Sequence, residues 1–129
     1  MQTFSKDERL SGQKIIERLF SEGKSYAVFP FRIIWLKSTY ESNFPAQIMI
    51  SVSKKKFKRA VDRNLIKRRI REAYRKNKPE IYAFLNRQQV QCAICLIYNT
   101  DKILDYTEIE QKIKLLLLRF QTEYEKNIE

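Results

Sequence analysis

Residues 54–78 carry 13 Lys or Arg against two acids, Asp62 and Glu72, yet an apolar residue returns every few positions. Ala60, Val61, Leu65, Ile66, Ile70, Ala73 and Tyr74 interrupt the charges, and no Gly or Pro occurs before Pro79. At about 100° per residue, Asn64, Lys67, Arg68, Arg71 and Arg75 fall in one arc roughly 100° wide. Ile66, Ile70 and Ala73 lie on the opposite side. The spacing predicts a helix over residues 59–77 that buries Ile66 and Ile70 and turns four cations and an amide outward. Arg63 flanks that outward face. A disordered basic arm needs no apolar stripe.

The whole chain has a net charge of +11. Residues 1–53 hold 7 basic and 5 acidic side chains, and residues 79–129 hold 6 and 8, so the excess sits in the predicted helix and the lysines before it. A solvated helix face normally mixes signs in i,i+4 pairs. In the second half of the stretch only Arg68–Glu72 and Glu72–Lys76 have that spacing. So many like charges are stable together when an anion neutralises them, which points to a polyanionic partner.

At 129 residues the chain fits a single domain, residues 1–129. Met1 to Leu10 contains no apolar run of the signal-peptide kind. Ile113 to Phe120 is broken by Lys114 and Arg119, so no stretch suits a membrane span. The expectation is a soluble, cytoplasmic protein. Cys92 and Cys95 have Cys-x-x-Cys spacing, but they lie in an apolar run, residues 90–98, that reads as a strand. Residues three apart on a strand face opposite ways. There is no His and no third Cys to complete a metal site. Two buried, unreactive cysteines are expected.

In chain order, residues 4–10 are a polar lead-in. A helix is expected over residues 11–22, with Ser11 as N-cap, Gly23 as stop, and Ile15, Ile16, Leu19 and Phe20 as its apolar face. Residues 24–38 have strand composition, which Pro30 divides. Residues 39–45 form a turn. Residues 46–53 alternate, with Ala46, Ile48, Ile50 and Val52 on one face and Gln47, Met49, Ser51 and Ser53 on the other. After the basic helix, residues 79–89 read as a connection and residues 90–99 as a strand buried on both faces. Thr107 and Glu110 fit a capping box for a last helix that buries Ile109, Ile113, Leu116, Leu117, Phe120 and Tyr124. The class is α+β, a small sandwich of helices on a mostly antiparallel sheet.

Little in the chain suits autonomous catalysis. It has no His, the commonest general base, no phosphate-cradling Gly loop and no convincing carboxylate cluster. Nucleic-acid binding is better supplied. Asn64 and the cations around it offer donors to phosphate, ribose and base edges. Phe29, Phe31, Trp35, Tyr40 and Phe44 offer rings for stacking, although most of them suit a core.

The run from Phe57 to Arg71, with its core Arg63, Asn64, Lys67, Arg68 and Arg71, resembles the signature of the bacterial ribonuclease P protein subunit family. The preceding Ile50 to Lys55, the segments Glu8 to Leu10 and Ile16 to Gly23, and Pro30-Phe31 extend the likeness over almost the whole chain. Leu65 departs from it, standing where the family usually has a basic residue. The resemblance implies an α-β-β-β-α-β-α sandwich related to a domain of a small-subunit ribosomal protein, with a left-handed β-α-β crossover. It implies a subunit of an endoribonuclease that removes the 5′ leader of precursor tRNA. Its chemistry would be carried by a catalytic RNA with bound Mg2+, with no cofactor on the chain itself. Lys54, Lys55, Lys56, Lys58, Arg59, Arg63, Asn64, Lys67, Arg68, Arg71 and Arg75 would bind the catalytic RNA. Ile16, Phe20, Ile34, Ser51 and Ser53 would line the leader cleft, with Ile16 and Ile34 where relatives often carry aromatics. Neither a membrane nor DNA is an expected partner. The alternatives are a ribosomal or ribosome-assembly RNA binder of the same fold, and a metal-dependent nuclease acting alone.

Overall fold

The computed structural model describes residues 4–40 and 43–127. Glu41 and Ser42 of the turn expected over residues 39–45 lie outside that range. A 3-10 turn, Lys6–Glu8, precedes α1 (Gln13–Glu22), β1 (Lys24–Val28), β2 (Phe31–Lys37), β3 (Ala46–Val52), α2 (Ala60–Gln88), β4 (Cys92–Tyr98) and α3 (Tyr106–Lys126). This is the α-β-β-β-α-β-α order that the sequence implied. The strands form one sheet in the order β1-β2-β4-β3. β1 and β4 pair antiparallel with β2, and β3 runs parallel to β4, the two joined through α2.

The inner position of β4 explains its unbroken apolar run, for residues from Cys92 to Leu96 are all fully buried. Alternation then sorts the side chains. Cys92, Ile94, Leu96 and Tyr98 join the main core with α2 and α3, while Ala93 and Cys95 join a smaller cluster with Leu10 and Leu19 of α1. The two cysteines are free, buried and on opposite faces, as their spacing predicts. Burial pushes the Cys95 thiol up to about 11 and the Cys92 thiol up to about 12.

Three helix boundaries differ from expectation. α2 does not end before Pro79 but continues to Gln88. Proline costs a helix interior about 3 kcal/mol. Ile81, Phe84 and Leu85 beyond it are all buried, each contributing roughly 1.5–3 kcal/mol, so packing outweighs the missing N–H. Of the connection expected over residues 79–89, residues 79–88 are therefore helix. At α1 the N-cap is Gly12, not Ser11, with φ of 105°. The chain arrives there with the Leu10 N–H bonded to the Ile48 carbonyl, and the bend onto the sheet uses a conformation that favours glycine. α3 is capped by Asp105, whose carboxylate accepts the Glu108 N–H at 2.9 Å, two residues ahead of the expected Thr107 box.

Gly23 ends α1 for a reason of space. Its φ is −68°, open to any residue, but an added Cβ would meet the Leu19 carbonyl oxygen at 2.3 Å and Ile34 Cγ2 at 2.7 Å. Gly23→Ala is expected to lose about 1–3 kcal/mol by thermal or urea unfolding. An unchanged midpoint would mean that α1 can lift off β2 at no cost.

Candidate nucleic-acid interface

α2 presents the basic stripe because its other side is anchored. Ile66, Ile70, Ala73 and Tyr74 are all at 0% exposure. Across the helix, Asn64, Arg68 and Arg71 are exposed and Lys67 is half-buried. Among the described residues none of Lys67, Arg68 and Arg71 joins an ion pair. Arg75 differs from the rest of the expected stripe. Its Nε donates to Glu72 at 2.5 Å, a pairing at i,i+3 rather than the i,i+4 pairs anticipated. That hydrogen bond holds the Glu72 carboxyl below its ordinary value and raises Arg75.

Arg63 and Arg69 serve the architecture. The Arg63 guanidinium donates to the carbonyls of Phe57 and Lys58 at 2.7 and 2.9 Å, clasping the lysine-rich turn to the start of α2. Arg69 donates to the Leu104 carbonyl at 2.6 Å. Ser53 shapes the same turn, its Oγ accepting the N–H groups of Lys55 and Lys56 at 3.1 and 3.3 Å. Lys54, Lys55, Lys56, Lys58 and Arg59 are thereby exposed around the N-terminus of α2. Cations at that end oppose the helix dipole, and an anion bound there would be favoured by both.

The opposite sheet face is where the leader cleft is expected. Leu19 of α1 packs with Ala93 and Cys95, with Ile15, Ile16, Ile34, Leu36, Met49 and Ile97 partly buried around them. Phe20, on the outer side of α1, is 52% exposed. The strand register sets out the floor in rows. One is Ile34–Cys95–Met49, and the next is Ala27–Arg32–Ile97–Ser51. Ile16, Ile34 and Ser51 thus share one face, and Ser53 stands where that face meets the lysine turn. Sequence reasoning missed Arg32, although it alternates with buried Phe31 and Ile33, which places it on the cleft side. It also missed the bond from Lys56 Nζ to Asn99 Oδ1, 2.8 Å, which fixes one lysine at the end of β4. On the outer edge of β3, Arg71 lines a depression of about 190 Å³ with Phe4, Arg9 and Met49.

The sequence profile of the ribonuclease P family matches residues 4–121. The chain belongs to the ribonuclease P protein component family. The ribonuclease P protein component of Porphyromonas gingivalis is 35% identical over 115 residues, which is 89% of this chain and 84% of the relative. The ribonuclease P protein structure from Staphylococcus aureus superposes with a TM-score of 0.68 at 25% identity, covering 88% of this chain and 94% of that one. That from Thermotoga maritima gives 0.67 at 26% identity, covering 87% and 96%. Relatives so named are subunits of an endoribonuclease, and the signature read from Arg63 to Arg71 lies within the matched span.

Proposed function

We propose that this chain binds the catalytic RNA of ribonuclease P through the α2 stripe and the lysine turn, and holds the 5′ leader of precursor tRNA in the cleft beneath α1. The observation that carries this reading is the set of exposed, unneutralised cations on a helix whose opposite side is fully buried. Among the described residues no group of three or more His, Cys, Asp or Glu is placed to hold a metal. We assign Mg2+ to the RNA. No helix among the described residues is long and apolar enough to cross a membrane, and we place the protein in the cytoplasm.

The test is precursor-tRNA cleavage at low magnesium with protein alone, catalytic RNA alone, and both. Activity in the mixture, giving a mature 5′ end, is the expected result. Cleavage by the protein alone would identify an autonomous nuclease. No effect of the protein on the catalytic RNA would favour a role in ribosome assembly. With about six phosphates engaged, log K should fall against log[salt] with a slope near −4 to −5.

A further inference from the structure

Five aromatics were candidates for base stacking, and the fold disposes of four. Phe31 and Trp35 are buried and Tyr40 and Phe44 half-buried, whereas Phe29 is 72% exposed in the turn between β1 and β2. A lone exposed ring is unremarkable by itself; its neighbours distinguish this one. The Asn99 N–H donates to the carbonyl of Pro30 at 2.8 Å, which sets the end of β4 against the turn. The Asn99 side chain holds the Lys56 ammonium, at 2.8 Å. Arg32, directly opposite Ile97, has Asn99 as its diagonal neighbour, a Cα separation of about 7–8 Å within reach of long side chains. Arg32 is exposed and is the one charged residue on the cleft face of the four strands. Its guanidinium makes a long bond, 3.3 Å, to Ser25 Oγ.

We propose that Phe29 and Arg32 form a second contact for the leader strand, bordered by the Lys56–Asn99 bond where the lysine turn begins. A base stacks on Phe29, and an adjoining phosphate meets Arg32. The proposal rests on the reading that the cleft holds the leader. Arg32 lies in the row Ala27–Arg32–Ile97–Ser51, on the sheet face that packs with α1 and away from the α2 stripe, so the leader rather than the catalytic RNA is the occupant. A second copy of a chain with net charge +11 would bring like charges to this patch, and a membrane needs a broader apolar face. Phe29 lies in the turn beyond Phe31, which is itself about 10 Å along β2 from Ile34, so only a leader of several nucleotides reaches it.

The experiment compares precursor affinity for long and short unstructured leaders in holoenzyme reconstituted with the catalytic RNA. Phe29→Ala is expected to cut the advantage of the long leader about tenfold, and Phe29→Tyr to retain it, as stacking on a ring requires. Arg32→Ala should reduce the same advantage and flatten its salt dependence by about 0.7. Equal losses for both leaders, or an unchanged ratio in both Phe29→Ala and Arg32→Ala, would overturn the assignment. So would a loss of affinity for the catalytic RNA itself. A wild-type holoenzyme with no leader-length advantage would instead refute the cleft reading beneath it.

Discussion

Arg68→Ala combined with Arg71→Ala is expected to weaken binding of the catalytic RNA about 100-fold while leaving the fold intact. Both side chains are exposed, and neither joins an ion pair among the described residues. Hydrogen bonds to charged groups contribute about 1.5–3 kcal/mol each. Two at the lower end give about 3 kcal/mol, or roughly a hundredfold. The salt slope should fall by about 2. Thermal unfolding should not move, because the helix is held by Ile66 and Ile70 on its far side. Arg69→Ala supplies the contrast. It removes the donor to the Leu104 carbonyl, and should cost about 1–3 kcal/mol of stability with little loss of RNA affinity. If the double variant melts well below wild type, the stripe is structural and the interface lies elsewhere.

The basic helix was legible because two periodicities coincide in one stretch, cations on one side and Ile66, Ile70 and Ala73 on the other. Its length was not, since Pro79 is a strong local stop signal. The signal on the other side was present: buried Ile70, Ala73, Tyr74, Ile81, Phe84 and Leu85 continue one helical face through the proline. Tertiary packing overrode propensity there. β4 and its cysteines were read correctly, because an apolar run with strand spacing has few other destinations. Arg32 escaped because it sits in a run of β-branched and aromatic residues that gives no clean alternation; the register across β4 is what places it. Glu8 escaped for a simpler reason. A charged residue in a polar lead-in is nearly always solvated, and its partner lies 70 residues away.

Glu8→Gln should be the most destabilising single change described here. Glu8 is fully buried, and its carboxylate receives the Lys78 ammonium, the Tyr82 hydroxyl at 2.5 Å and the Ser5 N–H at 2.8 Å. Burial alone would raise its pKa, but those hydrogen bonds, with the Lys78 charge, outweigh burial and hold it below the usual 4.5. Removing one member of a buried pair costs about 3–5 kcal/mol, against about 5–15 kcal/mol for a typical domain. Replacing both, as Glu8→Leu with Lys78→Met, should be far milder, because no buried charge is then left to solvate. The depressed pKa fixes the pH dependence. The contribution of Glu8 is complete above the unfolded value of 4.5 and is lost as pH falls through the lower folded value. Wild type and the double replacement should therefore converge in stability, or cross, only in that acid window. A pH-independent difference would remove the ion pair from the account. The same bond bears on function. It ties the lead-in to α2 one residue before Pro79. From that anchor, the chain runs through the Arg9–Ile48 bridge to Leu10, which packs with α1 above the cleft. Losing it should loosen α1 and lower leader affinity before it affects the exposed stripe on α2.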